Sequence, residues 1–290
     1  SLISHQIWLQ RTASGEVKDL TPFIQEIRDE IKRQVLLFGD DGRSTARLNK
    51  LLRDLEEALT GITGDWQTKL TDDLKELAAY EAEWNVKTLT ANVDAEFVTP
   101  TAEQVWAAAE FQPLSLSDKP VDFTKLMDGW GETEVARLVT GVKMGFVQGQ
   151  TTRQIVKNVV GAGGLADLSE RNATTVIRTA LSHVSNEARN ETYRQNDDII
   201  EKYEWVSTLD SRTSTICRAR DGMTWEIGKG PMPPAHPNCR STTAPVISSE
   251  FDFLDKGAKR AAKGADGGTQ VSADTTYYEF LKQQPAWFQD

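Results

Sequence analysis

Ile199–Leu209 reads I-I-E-K-Y-E-W-V-S-T-L, and at this stretch the chain changes period. Up to Asp198 apolar residues recur every three to four positions. From Ile199 they alternate weakly and include Tyr203, Trp205 and Val206, types that pack well on a pleated surface. A strand is expected here and a second at Thr242–Ile247. Between them lie Gly222, Gly228, Gly230, Pro231, Pro233, Pro234 and Pro237, the composition of a long loop. Such a loop is either functional or pinned by something other than a hydrogen-bond ladder.

The helical period dominates upstream. Arg43–Ile62 places Leu48, Leu51, Leu52, Leu55 and Leu59 on one face, with Ser44 as N-cap and Gly61 as stop. Trp66–Leu89 repeats the pattern. Pro22–Phe38 forms a third segment, capped by Thr21 with Pro22 in the first turn. Phe111–Pro120 is expected to be a loop. Lys125–Val147 is interrupted by Gly129, Gly131, Gly141 and Gly145 and reads as two helices. Thr151 opens a short helix to Val160, ended by Gly161–Gly164. Leu168–Tyr193 is one long helix capped by Ser169, with His183 packed or solvated along it. Asp255–Asp274, rich in Gly, Ala and Lys, reads as a flexible linker, and the aromatic tail Tyr277–Phe288 is expected to dock. The fold class is therefore α+β and mainly helical. A helical hairpin or bundle (1–120) precedes a compact α+β domain with a small sheet and a Pro/Gly-rich loop (121–254), a linker (255–275) and a tail (276–290).

Composition sets bounds. The 290 residues are 39% hydrophobic and 26% charged, in the globular range. The formal net charge is −10, which argues against a broad DNA-coating surface, since such binding needs Lys and Arg against phosphates. No stretch approaches the length of a membrane-spanning apolar run. Residues 1–100 hold 12 Lys/Arg and 18 Asp/Glu, read as solvated helix faces.

Both cysteines and one of three histidines fall in one window, as C-x18-H-x2-C: Cys217, His236 and Cys239. Thiolates and imidazole suit zinc, which takes four ligands in structural sites, and Asp210 or a partner chain's residue is the fourth candidate. Three other readings stay open: two buried thiols, a disulfide, or a catalytic Cys–His pair. Asp210, followed by Ser, Arg and Thr, has the pattern of an Asx-turn or cap. Arg212 and Arg240 either bind an anion bidentately or pair with Asp210 and Asp221. Trp205 and Trp225 are expected to anchor the sheet.

The order W-V-S-T-L-D-S-R-T-S-T-I-C-R-A-R-D-G (Trp205–Gly222), a variable loop, then P-P-A-H-P-N-C-R-S (Pro233–Ser241) resembles the tailed-phage head morphogenesis family, the Mu F-like minor head proteins. R-T-A-L-S-H-V-S-N-E-A-R-N (Arg178–Asn190) and the terminal Y-Y-E-F-L-K-Q-Q-P-A-W-F-Q-D resemble that family too, so the likeness covers about 130–290. Its motif positions here are Trp205, Asp210, Arg212, Cys217, Gly222, His236, Pro237, Cys239 and Arg240. One departure is Ser241, where some relatives carry another cysteine. The resemblance implies a low-copy structural virion protein at the portal end of the capsid, without catalysis of its own. It also implies the portal protein and a major capsid or scaffolding protein as partners, contact with packaged double-stranded DNA or its ejection, no membrane in the assembled head, and passage through the host cytoplasm during assembly. The competing expectation is a phage-delivered effector enzyme, a nuclease or transferase centred near Asp210, Cys217 and His236.

Overall fold

The computed structural model describes residues 2–40, 44–117, 119–248 and 259–289. The chain is mainly helical, with small antiparallel sheets. No helix among the described residues is long and apolar enough to cross a membrane. Two compact units are built from interleaved segments rather than from consecutive halves.

One unit comprises Thr12–Asp73 and Thr124–Ile177. Helix α2 (Thr21–Phe38) buries Ile24, Ile27, Ile31, Val35 and Phe38, one stripe at spacings of three and four. Thr21 is already helical and does not cap it; the preceding Leu20 sits buried instead. Helix α3 (Thr45–Asn92) begins where Ser44 Oγ accepts from Arg47 N–H. Arg43 lies outside the described residues. The helix does not stop at Gly61. Gly61 and Gly64 cost about 1 kcal/mol each relative to alanine, a loss that burial of Leu59, Ile62 and Trp66 outweighs.

Helix α5 (Phe123–Val147) is also continuous, so its glycines are not breaks. A Cβ on Gly141 would lie 2.3 Å from Leu165 Cδ1, and one on Gly145 would lie 2.6 Å from Ile155 Cγ1. The bare backbone lets α6 (Thr152–Val160) and the start of α7 (Leu165–Arg194) approach closely. Thr151 caps α6 as expected, in a reciprocal capping box with Gln154. Ser169 does not cap α7, which starts earlier. It donates to buried Glu134 at 2.6 Å, beside Asn172 at 2.8 Å. Arg28 joins α2 to this corner through Val160 O (2.8 Å) and Asp167 (2.6 Å).

The other unit comprises Ser1–Arg11, Leu74–Phe123 and Arg178–Asp290. Helix α1 (Leu2–Asp19), within the expected helical region but not delimited by the sequence reading, brings His5 onto the Trp84 ring, with centroids 3.6 Å apart. His5 Nε2 lies 2.6 Å from Glu81 Oε1, and the other carboxylate oxygen accepts from fully buried Arg189 at 3.3 Å. Arg189 also donates to the Thr242 hydroxyl. Helix α4 (Ala102–Phe111) carries a second Thr/Gln capping box, at Thr101 and Gln104. The expected loop Phe111–Pro120 contains a small hairpin instead, β1 (Leu114–Leu116) with β2 (Lys119–Val121). Asp118 between them is not among the described residues.

The central sheet has the order β4-β3-β5 and is antiparallel throughout. Strand β3 (Ile200–Val206) and strand β5 (Thr242–Ile247) occupy the expected segments, and β4 (Thr224–Glu226) adds to the far edge. A bulge between Ile200 and Lys202 explains the weak alternation. The extra residue turns Ile200 to the same buried side as Tyr203 and Trp205. Pro245 sits in edge strand β5, where a missing N–H is tolerated.

The expected linker is structured where it is described. β6 (Lys259–Gly264) pairs with β7 (Gly267–Ser272) through a Gly-containing turn, with Gly267 at φ +108°. Its Gly and Lys content is that of a hairpin whose exposed faces are polar. Residues 255–258, and the 121–254 boundary at its C-terminal end, lie outside the described residues. The aromatic tail forms α9 (Tyr277–Lys282) and α10 (Ala286–Gln289). Tyr277 and Phe280 are buried against Leu209 and Ala262.

Candidate functional site

Helix α8 (Thr215–Arg220) follows β3 across a short loop and is capped by Ser214, whose hydroxyl accepts from Cys217 N–H. It holds Cys217 beneath Trp205, together with Ala235 and Cys239. Gly222, at φ +76°, ends the segment and donates its N–H to Trp205 O. The second half of the site is the turn His236-Pro237-Asn238-Cys239. Cys239 N–H donates to His236 O at 3.1 Å, and Asn238 takes φ +59°. Pro at the second position and Asn with positive φ at the third are what a type II turn asks for. Thr179 Oγ1 on α7 accepts from Asn238 N–H and fixes the turn.

These two pieces bring three predicted residues together. Cys217 Sγ lies 3.4 Å from His236 Nε2 and 3.6 Å from Cys239 Sγ, and all three donor atoms fall within 4.8 Å of one another. His236 Nδ1 lies 2.9 Å from Pro237 O and donates to it. The hydrogen bond from the Cys217 thiol holds the Cys239 thiol far below the usual range despite burial, and His236 adds to this. Cys217 moves the opposite way, because it keeps the proton shared with Cys239 and is buried. His236 is raised, first by Cys239, against the effect of burial.

Asp210 lies apart from this group. Its carboxylate receives a two-pronged bond from Arg240, at 2.6 and 2.8 Å. It also accepts from Arg212 N–H at 3.0 Å and from the Thr213 hydroxyl at 3.2 Å, the expected Asx-turn. Burial pushes the carboxyl up, but the Arg240 bonds and charge outweigh it and hold it below the ordinary range. In this structure the Asp210 carboxylate is thus engaged by Arg240, the Arg212 amide and Thr213. The Arg212 side chain is 77% exposed and only approaches Asp210, at 3.7 Å.

Asp221 pairs with neither Arg212 nor Arg240. Arg260 of β6 grips it at 2.8 and 3.1 Å, and Tyr277 N–H donates to it at 2.6 Å. Asp221 also accepts from Ser207 N–H at 2.6 Å, while the Ser207 hydroxyl donates to Cys217 O. Tyr277 OH donates to Asp210 O, and Arg218 lies 4.9 Å over the Tyr277 ring. Hairpin and tail are thus bonded to the cysteine-bearing segment. Sequence reasoning missed Ser207, Arg260 and the role of Asp221, since their pairings are set by the tertiary fold and not by a local pattern.

A second feature lies on α7. His183, Glu187, Asn190 and Arg194, spaced four, three and four, line a cavity of about 320 Å³ closed by Gln112–Ser115 and by Gly228 and Gly230–Pro234. Burial pushes the Glu187 carboxyl up to about 7. Burial lowers His183 to about 4, with Nε2 donating to Ala109 O at 2.7 Å. The polar stripe at helical spacing within an otherwise buried helix was the available signal.

Residues 136–244 match the model of the family described as Phage Mu protein F like protein. The match takes in the C-terminal half of α5, all of α6, α7, β3 and β4, the start of β5 and the whole Cys–His–Cys group, and it supports the resemblance carried by the motifs. No curated protein and no solved structure matches the chain.

Proposed function

We propose, from the premise that residues 136–244 form a Mu F-like segment, that this chain is a structural head morphogenesis protein of a tailed phage. In this reading it is a minor capsid component that meets the portal protein during assembly and remains in the virion. The family match carries the proposal. The site's organisation supports it: Cys217 is 1% exposed and Cys239 3%, so neither thiol is open to substrate as a nucleophile's must be. The two nearby carboxylates, Asp210 and Asp221, are held in internal pairs by Arg240 and Arg260. A net charge of −10 favours protein partners over a DNA-coating role.

The test is a phage deleted for this chain, complemented or not, with particles purified and examined by mass spectrometry. The expected result is that the protein is found in complemented heads in far fewer copies than the major capsid protein, and that uncomplemented lysates yield few DNA-filled heads. Normal numbers of infectious particles without it would overturn the reading. The α7 cavity favours a small-ligand role as a second reading, because a buried carboxylate and an arginine share one opening. Loss of hydrolytic or transferase activity in Glu187→Gln, with assembly intact, would support that alternative.

A further inference from the structure

We infer that Cys217, His236 and Cys239 form a three-residue zinc site whose fourth position is taken by water. The inference does not depend on the head-assembly reading. Zinc holds sulfur at about 2.3 Å and nitrogen at about 2.0–2.1 Å in a tetrahedron, which places two sulfurs about 3.8 Å apart and sulfur and nitrogen about 3.5 Å apart. The observed edges are 3.6 Å from Cys217 Sγ to Cys239 Sγ and 3.4 Å from Cys217 Sγ to His236 Nε2. Two edges of the triangle thus already have the lengths that a shared ion would set, and the third pair of donors lies within 4.8 Å.

The imidazole gives a second, independent observation. Its Nδ1–H points at Pro237 O, so Nε2 is the nitrogen turned toward the sulfurs. Metal-bound histidines are commonly oriented in this way, with the other ring nitrogen donating to a carbonyl or carboxylate. The turn that supplies this carbonyl also supplies Cys239, and Thr179 holds its backbone. The donor set, two thiolates and one imidazole, suits zinc over magnesium or calcium.

The fourth position falls to water because the nearby polar groups have other work. Asp210 is bound by Arg240, and Ser207 donates to Cys217 O. His236 is only half-buried, which leaves a path from solvent. The ion would tie α8 to the 236–239 turn across a Pro/Gly-rich loop that has only the three-residue strand β4 of its own.

The experiment uses the full, untagged chain, purified under reducing conditions with zinc in the growth medium. Metal content is read by plasma mass spectrometry, and cobalt(II) is then exchanged in for absorption spectroscopy. About one zinc per chain is expected, together with cobalt–thiolate charge-transfer bands in the near ultraviolet. Cys217→Ser and Cys239→Ser should each lower zinc at least tenfold, while Asp210→Asn should keep it. Chelation should lower the Tm of the unaltered chain by roughly 5 °C or more. If the serine variants fail to fold, the cobalt spectrum of the unaltered chain decides. Zinc below about a tenth of an equivalent with no cobalt–thiolate band overturns the site. Intact mass then tells two free thiols from a disulfide, either of which replaces the proposal.

Discussion

Asp210 shows how one residue's role follows from its neighbours. The motif L-D-S-R-T made an Asx-turn legible, because the carboxylate accepts from an amide two residues on. Its pairing with Arg240 was one of two alternatives, and only the fold decides between them. Asp210→Asn keeps the turn but weakens the Arg240 fork, and should cost about 2–3 kcal/mol in chemical denaturation at pH 7. The folded carboxyl titrates below its ordinary value, so this stabilisation is present above the unfolded pKa and lost as pH falls through the folded one. The gap between variant and parent should therefore close in acid. A gap that does not narrow as pH is lowered through the carboxylate range would mean that the carboxylate charge is not what matters. Glu187 has the opposite sign. Its folded pKa is raised from 4.5 to about 7, mainly by burial, so the folded chain favours the neutral acid. Stability should be full below about 4.5 and fall by about 3 kcal/mol as pH rises through 7. Glu187→Gln should flatten that slope and leave the protein more stable than its parent at pH 8. An unchanged slope would remove Glu187 as its source.

At the scale of elements, the glycines separate what sequence can and cannot specify. A glycine inside an apolar helical pattern marks either a break or a close contact, and composition alone does not distinguish them. Gly61 and Gly64 on α3 face open space, so alanine at either should stabilise by about 0.5–1 kcal/mol. Gly141 and Gly145 on α5 meet Leu165 and Ile155, so alanine there should destabilise by about 1–3 kcal/mol. Thermal unfolding of the four single variants checks the contrast, and the same sign at all four would refute the packing account. Strands β3 and β5 were legible because aromatic and β-branched residues cluster in short runs bounded by turns. The hairpin Lys259–Ser272 was not. Its inward residues are Arg260 and Ala262, and the first is buried only because Asp221, 39 residues earlier, receives its charge. A strand whose buried face carries an arginine gives no apolar alternation. The Cys–His–Cys group was legible because rare residue types gathered in one window. Arg260 was not, because its partner is set by tertiary structure.

For the molecule as a whole, the interleaving of the two units means that no single cut in the sequence separates them. Local periodicity cannot show this, since it reports which residues are helical and not which helices share a core. Within the unit that holds the site, the C-terminal tail completes a core begun some 70 residues earlier. Tyr277 and Phe280 are buried against Leu209 and Ala262, Tyr277 N–H donates to Asp221, and Tyr277 OH donates to Asp210 O. Each aromatic side chain contributes about 1.5–3 kcal/mol by burial. Truncation after Ser272 should therefore remove about 3–6 kcal/mol and leave Asp221 with only Arg260 and Ser207 as partners. Loss of the tail uncovers one side of the β6–β7 hairpin, and two strands alone are marginal in water. Hydrogen exchange on the truncated chain should show protection falling across 259–272 and across 207–222, where the tail's bonds land. Protection in α2, which belongs to the other unit, should change little. Full retention of protection at 259–272 would show that the hairpin stands without the tail and that the buried aromatics are dispensable to the site.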